Sequence, residues 1–172
     1  LGWLWAGSSS PAEAQQTSKQ GIRLELVIFI GGQGAGKSTY YKSHFFDTHL
    51  RINMDMLNTR HREHLLLQAC MAMKQRCVID KINATVAERE KYIRLAHAHH
   101  FKVIGYYFDS PIEDLLRRNS QRSGKANIPE IGIRGTLKKL VAPAFAEGFD
   151  EIHHVATLDG GLFHTVSMKH EV

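Results

Sequence analysis

The passage from "LELVIFI" (24–30) into "GGQGAGKST" (31–39) constrains the chain more than any other feature. Gly31, four further residues, then Gly36, Lys37 and Ser38 satisfy the spacing G-x-x-x-x-G-K-[ST]. An apolar, β-branched run enters these glycines and a helical segment leaves from about Lys37, the order in which a phosphate cradle is built. Glycine permits positive φ and lets backbone amides come close to phosphate oxygens. On this reading Gly32, Gln33, Gly34, Ala35 and Gly36 wrap a nucleotide's phosphates. Lys37 reaches the β and γ phosphates, the Ser38 hydroxyl sits on Mg²⁺, and Thr39 closes the motif. The alternative is a glycine-rich turn with no ligand. The dinucleotide spacing G-x-G-x-x-G fails, because after Gly32 and Gly34 the next glycine falls at 36, one place early; ATP or GTP is favoured over NAD.

The rest of the chain alternates between two periodicities. Short apolar runs read as strands at 49–55, "CVID" (77–80), "FKVIGYYF" (101–108) and "FDEIHHV" (149–155). Leu66, Ala69, Cys70 and Met73 recur at helical spacing within 57–74, and Val86, Ile93, Ala96 and His100 do so in the next segment. Ser110 and Pro111 read as N-cap and first position of a further helix, and 133–141 as helical. Such alternation predicts an α/β domain with a mostly parallel sheet between helices. The 172 residues suffice for one domain, placed at 21–172, while residues 1–20 read as a flexible tail or linker.

Lysine and arginine exceed acids by 22 to 17, which favours partners bearing phosphate. Cys70 and Cys77 have neither disulfide-framework nor zinc spacing and read as buried thiols; the histidine clusters lack a metal-site pattern. No run reaches the length of a membrane span, and a cytoplasmic protein with no membrane partner is the simplest expectation.

Moving a γ-phosphate to a hydroxyl requires a base, a metal anchor and cations on the transferred group. Asp55, at the end of the second strand, is a candidate base or else an N-cap of the next helix. Asp80, closing "CVID", is a candidate Mg²⁺ acid or a strand-end turn residue. Residues 117–139 hold seven Lys or Arg and a single acid, Glu130. They are a solvated basic face, or a lid in which Arg118 and Arg122, four apart on one side of a helix, close on the triphosphate.

These motifs together resemble the phage-type 5′-hydroxyl polynucleotide kinases. "RRNSQRSGKANIP" (117–129) after "FDSP" (108–111) resembles that family's lid, "INMD" (52–55) its Asn-x-Asp acceptor motif, and "VIDKIN" (78–83) its Asp-x-x-Asn strand end. "APAFAEGFDEI" (142–152) is similar to the closing segment of the metazoan kinase domain, so the resemblance spans roughly 24–156. It implies a three-layer, adenylate-kinase-like P-loop domain with five parallel strands and a helical lid over about 111–140. It also implies ATP and Mg²⁺ at Lys37 and Ser38, Asp80 in support of the metal, Asp55 as general base, and Arg122 at the transferring phosphate. The implied partner is a nucleic-acid 5′-OH end. Met54 and Lys81 depart from the family's usual residues, and a kinase of a sugar, nucleoside or other small metabolite stands as the alternative acceptor reading. A non-catalytic nucleotide switch or nucleic-acid-binding module is the third; Tyr40, Tyr41, Phe45 and Phe46 would suit it as stacking residues, but packing of the first helix explains them.

Overall fold

The computed structural model describes residues 23–170; the tail read at 1–20 lies outside the described residues. Five parallel strands, β1 (Glu25–Gly31), β2 (Leu50–Ile52), β3 (Cys77–Ile79), β4 (Lys102–Phe108) and β5 (Glu151–Thr157), form the sheet with an antiparallel sixth, β6 (Phe163–Ser167). Their order across the sheet is β2-β3-β1-β4-β5-β6. The connecting helices are α1 (Lys37–His44), α2 (Met54–Leu57), α3 (Arg60–Ala72), α4 (Val86–Ala98), α5 (Ile112–Ser120) and α6 (Glu130–Lys139).

β1 runs through the middle of the sheet, and its residues 26–30 are wholly buried, as a strand covered on both faces requires. Leu26, Ile28 and Ile30 pack with Leu67, Cys70 and Met71 of α3 and with Tyr92, Ile93 and Ala96 of α4. Val27 and Phe29 point the other way, onto Tyr40, Tyr41 and Phe45 and onto Leu115 of α5 and Ile133 of α6. The alternation of β1 thus makes two cores, with each fully buried aliphatic or aromatic side chain contributing about 1.5–3 kcal/mol. Cys70 and Cys77 are both buried and free. No described helix is long and apolar enough to cross a membrane.

Several sequence-based boundaries move. The expected five strands are six, because β6 pairs with β5 and seats Phe163 edge-on to Tyr40 at 5.0 Å. The run at 49–55 holds a strand of three residues only; Asn53 then turns the chain into α2. Within α3 the buried stripe is Glu63, Leu67, Cys70 and Met71, and Met73 is exposed. α4 ends at Ala98, and His100 sits beyond it with φ 63°, while Val86 is exposed. Pro111, not Ser110, is the N-cap of α5. The last parallel strand starts two residues late, since Phe149 is spent filling the space against Gly105, where a Cβ would lie 3.0 Å from its ring. Of the four aromatics after the glycine loop, Tyr40, Tyr41 and Phe45 are core, but Phe46 is exposed.

The parallel pairing has one decisive consequence. Neighbours β2, β3 and β1 end on the same edge, so the segments that follow them, carrying Asp55, Asp80 and the glycine loop, lie side by side.

Candidate active site

Gly34 (φ 84°) and Gly36 (φ 89°) take left-handed conformations, and Gly36 is the N-cap of α1. No side chain caps α1, so its first amides are left for an anion, which the helix dipole also favours. The loop is pinned from behind: Gly31 N–H donates to the Ile82 carbonyl at 3.0 Å, and the Asn83 amide donates to the Phe29 carbonyl at 2.7 Å. Lys37 Nζ lies folded on the loop, donating to the carbonyls of Gly31 at 2.8 Å and Gly32 at 2.7 Å. Burial lowers its pKa from 10.5 to about 8; Asp80 opposes that shift, and the charge of Arg122 adds to it.

Ser38 Oγ donates to Asp80 Oδ2 at 3.2 Å. Asp80 is buried and is not engaged as a turn residue: its carboxylate accepts instead from Arg51, through Nε at 2.8 Å and Nη2 at 2.5 Å. The same Nη2 donates to Ser38 Oγ at 2.8 Å. The two oxygens fit a hard divalent cation in donor type and spacing, and a guanidinium already sits on both. No sequence motif points to Arg51.

Asn53 explains the Asn-x-Asp spacing. Its Oδ1 accepts from the N–H of Asp55 at 2.9 Å and of Met56 at 3.3 Å, capping α2, while its Nδ2 donates to the Asp80 carbonyl at 3.0 Å. The one-turn helix that carries Asp55 is thereby tied to the residue that faces Ser38. Asp55 is not a cap: α2 is capped by Asn53 and α3 by Thr59, and Asp55 stands exposed in the first turn of α2 rather than on a strand end.

Lys81, the residue after Asp80, donates to Glu63 Oε1 at 3.0 Å and to the Tyr92 hydroxyl at 2.8 Å. Tyr92 also donates to Glu63 at 2.5 Å. Burial alone would raise the Glu63 pKa, but the hydrogen bonds from Tyr92 and Lys81 and the nearby lysine charges hold it below the usual carboxylate range. Lys81 is thus a structural partner of α3 and α4.

Arg118 lies on α5 and donates to the carbonyls of Gly34 at 3.4 Å and Thr157 at 3.3 Å. Arg122 falls past the end of α5 at Ser120, so the two are not stacked along one helix as the spacing suggested. They still meet: both line a cavity of about 290 Å³ with Gly34, Gly36, Thr39 and Phe163. Gln33 reaches across to α6, donating to Thr136 Oγ1 at 3.0 Å. Ala35 is buried, and its carbonyl accepts from Thr157 Oγ1 at 2.9 Å. Gly32 packs under Leu115 and Leu137, with no room for more than a slight shift if a Cβ were added.

The family model AAA_33, described as an AAA domain, matches residues 26–143, from β1 through α6. The chain belongs to the AAA_33 family. An AAA_33 assignment fits the α/β P-loop fold and its kinase-like character. The chain is 25% identical over 153 residues to the bifunctional polynucleotide phosphatase/kinase of Schizosaccharomyces pombe, covering 86% of this chain and 36% of that protein. It therefore spans about a third of the length of the curated relative it matches. Among solved structures, a gluconokinase from Sinorhizobium meliloti superposes with a TM-score of 0.55 at 16% identity, over 78% of this chain and 83% of that one. AvrRxo1-ORF1 in complex with AvrRxo1-ORF2, solved with ATP, superposes with a TM-score of 0.63 at 13% identity, over 85% and 58%. At such identities the likeness is one of fold.

Proposed function

We propose that this AAA_33 domain, taken over 21–172, is an ATP-dependent phosphotransferase that moves the γ-phosphate of ATP to a hydroxyl, and that its acceptor is the 5′-OH end of a polynucleotide. The observation that carries this reading is Asn53: one side chain caps the turn bearing Asp55 and holds the backbone of Asp80, so the acceptor-side carboxylate and the carboxylate facing Ser38 share one support. In the reaction, Lys37 leaves the carbonyls of Gly31 and Gly32 for the phosphates, and the open amides of α1 receive them. Asp55 takes the proton of the attacking hydroxyl as its oxygen bonds to the γ-phosphorus and the bond to the ADP oxygen breaks. Ser38 and Asp80 would hold Mg²⁺, which when bound supplies positive charge at the β and γ oxygens. Arg118 and Arg122 belong to a lid over about 111–140 and meet the charge that spreads over the phosphoryl group.

The polynucleotide acceptor is supported by the basic charge on α3, which follows the turn carrying Asp55, and on α4. Arg60, His61, Arg62 and His64 are exposed on the opening turns of α3, and Lys91 and Arg94 are exposed on α4 across a groove of about 330 Å³. Such a surface suits a chain of phosphates leading away from the 5′ end. The similarity to the fission-yeast protein points the same way. A sugar, nucleoside or other small metabolite is the second reading, favoured by the size of that groove, which lies within the usual range of small-ligand pockets. A panel run with γ-labelled ATP and Mg²⁺ separates them. Transfer to 5′-OH oligonucleotides, and none to the same oligonucleotides bearing a 5′-phosphate, is the expected result. Transfer to sugars or nucleosides alone would overturn the polynucleotide acceptor and keep the kinase.

A further inference from the structure

Arg51 is the one cation in direct contact with both Ser38 and Asp80 among the described residues. The Asp80 side chain is only 2% exposed, so its charge has little water and depends on the guanidinium for neutralisation. Arg51 itself is held more loosely on its outer side. It projects from β2, the edge strand of the sheet, is 21% exposed, and has its third nitrogen on Met56 Sδ at 3.9 Å and its Cζ 5.4 Å from the centre of the Tyr41 ring. The carboxylate is fixed, and the cation on it has a way out towards α2.

We propose that Arg51 is the resident cation of the Ser38–Asp80 site, holding the two oxygens together in the nucleotide-free protein and exchanged there for the divalent cation that accompanies the nucleotide. On leaving, the guanidinium stays over Tyr41 and beside Met56, next to the turn that carries Asp55. Two consequences follow from charge alone. The free protein binds divalent metal poorly, because the metal must displace a charge-assisted partner that donates twice to Asp80 Oδ2. The metal site opens only when the phosphates bring enough negative charge to hold both cations, the metal on the oxygens and Arg51 beside them. The proposal rests on the assignment of Ser38 and Asp80 as the metal's holders and is independent of the acceptor.

The test is direct metal binding without turnover. Titration of the nucleotide-free protein with Mn²⁺, followed by the electron paramagnetic resonance signal of free Mn²⁺, should give at least about tenfold tighter binding for Arg51→Gln than for wild type. Adding Asp80→Asn to that variant should return the affinity to the wild-type level. Arg51→Gln no tighter than wild type, or a gain that survives Asp80→Asn, overturns the proposal. In the wild type, the Arg51 side-chain Nε–H resonance should move on addition of Mg²⁺ with ADP and stay in place with ADP alone. A resonance unmoved at saturating Mg²⁺ and ADP overturns the exchange even if the variant does not fold. Because neither measurement needs an acceptor, a missing kinase activity would leave this result standing and count only against the function proposed above.

Discussion

Lys37 makes a quantitative prediction. Its side chain is held against backbone carbonyls by burial, with a pKa of about 8 in place of 10.5. The protonated form therefore carries a penalty of about 3 kcal/mol at neutral pH, taken from roughly 1.4 kcal/mol per tenfold change in proton affinity. For a lysine with a depressed folded pKa, that penalty is complete below pH 8 and is relieved as pH rises from about 8 to about 10.5. A triphosphate against Nζ favours the charged form and restores the proton. Nucleotide binding should thus take up about 0.1 proton at pH 7 and about 0.9 at pH 9, and affinity should fall about tenfold between those values. Isothermal titration calorimetry of ADP or a non-hydrolysable ATP analogue, repeated in buffers of different ionisation enthalpy, reads the uptake. Lys37→Met should abolish it. An uptake below about 0.2 at pH 9, or one that persists in Lys37→Met, would refute the assignment of Lys37 to the phosphates.

Two further predictions concern the frame of the site. Arg89 is fully buried, pairs with Glu147 at 2.7 and 2.8 Å, and also donates to the carbonyls of Asn83, Ala84 and Val141, joining the segment after β3 to the end of α6. Arg89→Ala should cost about 3–5 kcal/mol in chemical denaturation, since the buried Glu147 carboxylate loses its cation and keeps only the Ala144 N–H; a loss below about 1 kcal/mol would show the pair to be dispensable. Gly31→Ala would put a Cβ 2.8 Å from the Phe108 carbonyl oxygen and 2.9 Å from the Phe108 Cβ, neither of which can swing aside. It should lower both the melting temperature and nucleotide affinity, and an unchanged melting temperature would show that β1 and β4 can separate at their ends.

What the sequence revealed follows from how each feature is encoded. The glycine loop and the position of Asp80 were legible because spacing and a strand end place them, and parallel pairing of β2, β3 and β1 sets their segments side by side; Asp55 was expected on a strand end and lies instead in the first turn of α2, where Asn53 holds its N–H. The phase of α3 was not, because a buried acid, Glu63, leads its stripe, and a charge is read as an outward position until Tyr92 and Lys81 are seen to satisfy it. β6 escaped because it is an edge strand with exposed side chains from His164 to Ser167, leaving no apolar alternation to read. Arg51 escaped for a different reason: a single arginine in a three-residue strand carries no pattern, and its meaning lies wholly in its contacts with residues 13 and 29 positions away. The tyrosines and Phe45 of the first helix were correctly given to packing, whereas Phe46 is exposed and that reading does not cover it.

The central claim is that Asp55 deprotonates a polynucleotide 5′-hydroxyl as it attacks the γ-phosphate held by the glycine loop. Its most direct test is single-turnover transfer of label from ATP to a 5′-OH oligonucleotide by wild type and by Asp55→Asn. The account predicts label on the 5′ end with wild type, a rate lower by about a hundredfold or more in the variant, and unchanged ATP affinity. Equal rates in the two proteins, or no transfer by wild type across varied salt and divalent metal, would contradict it.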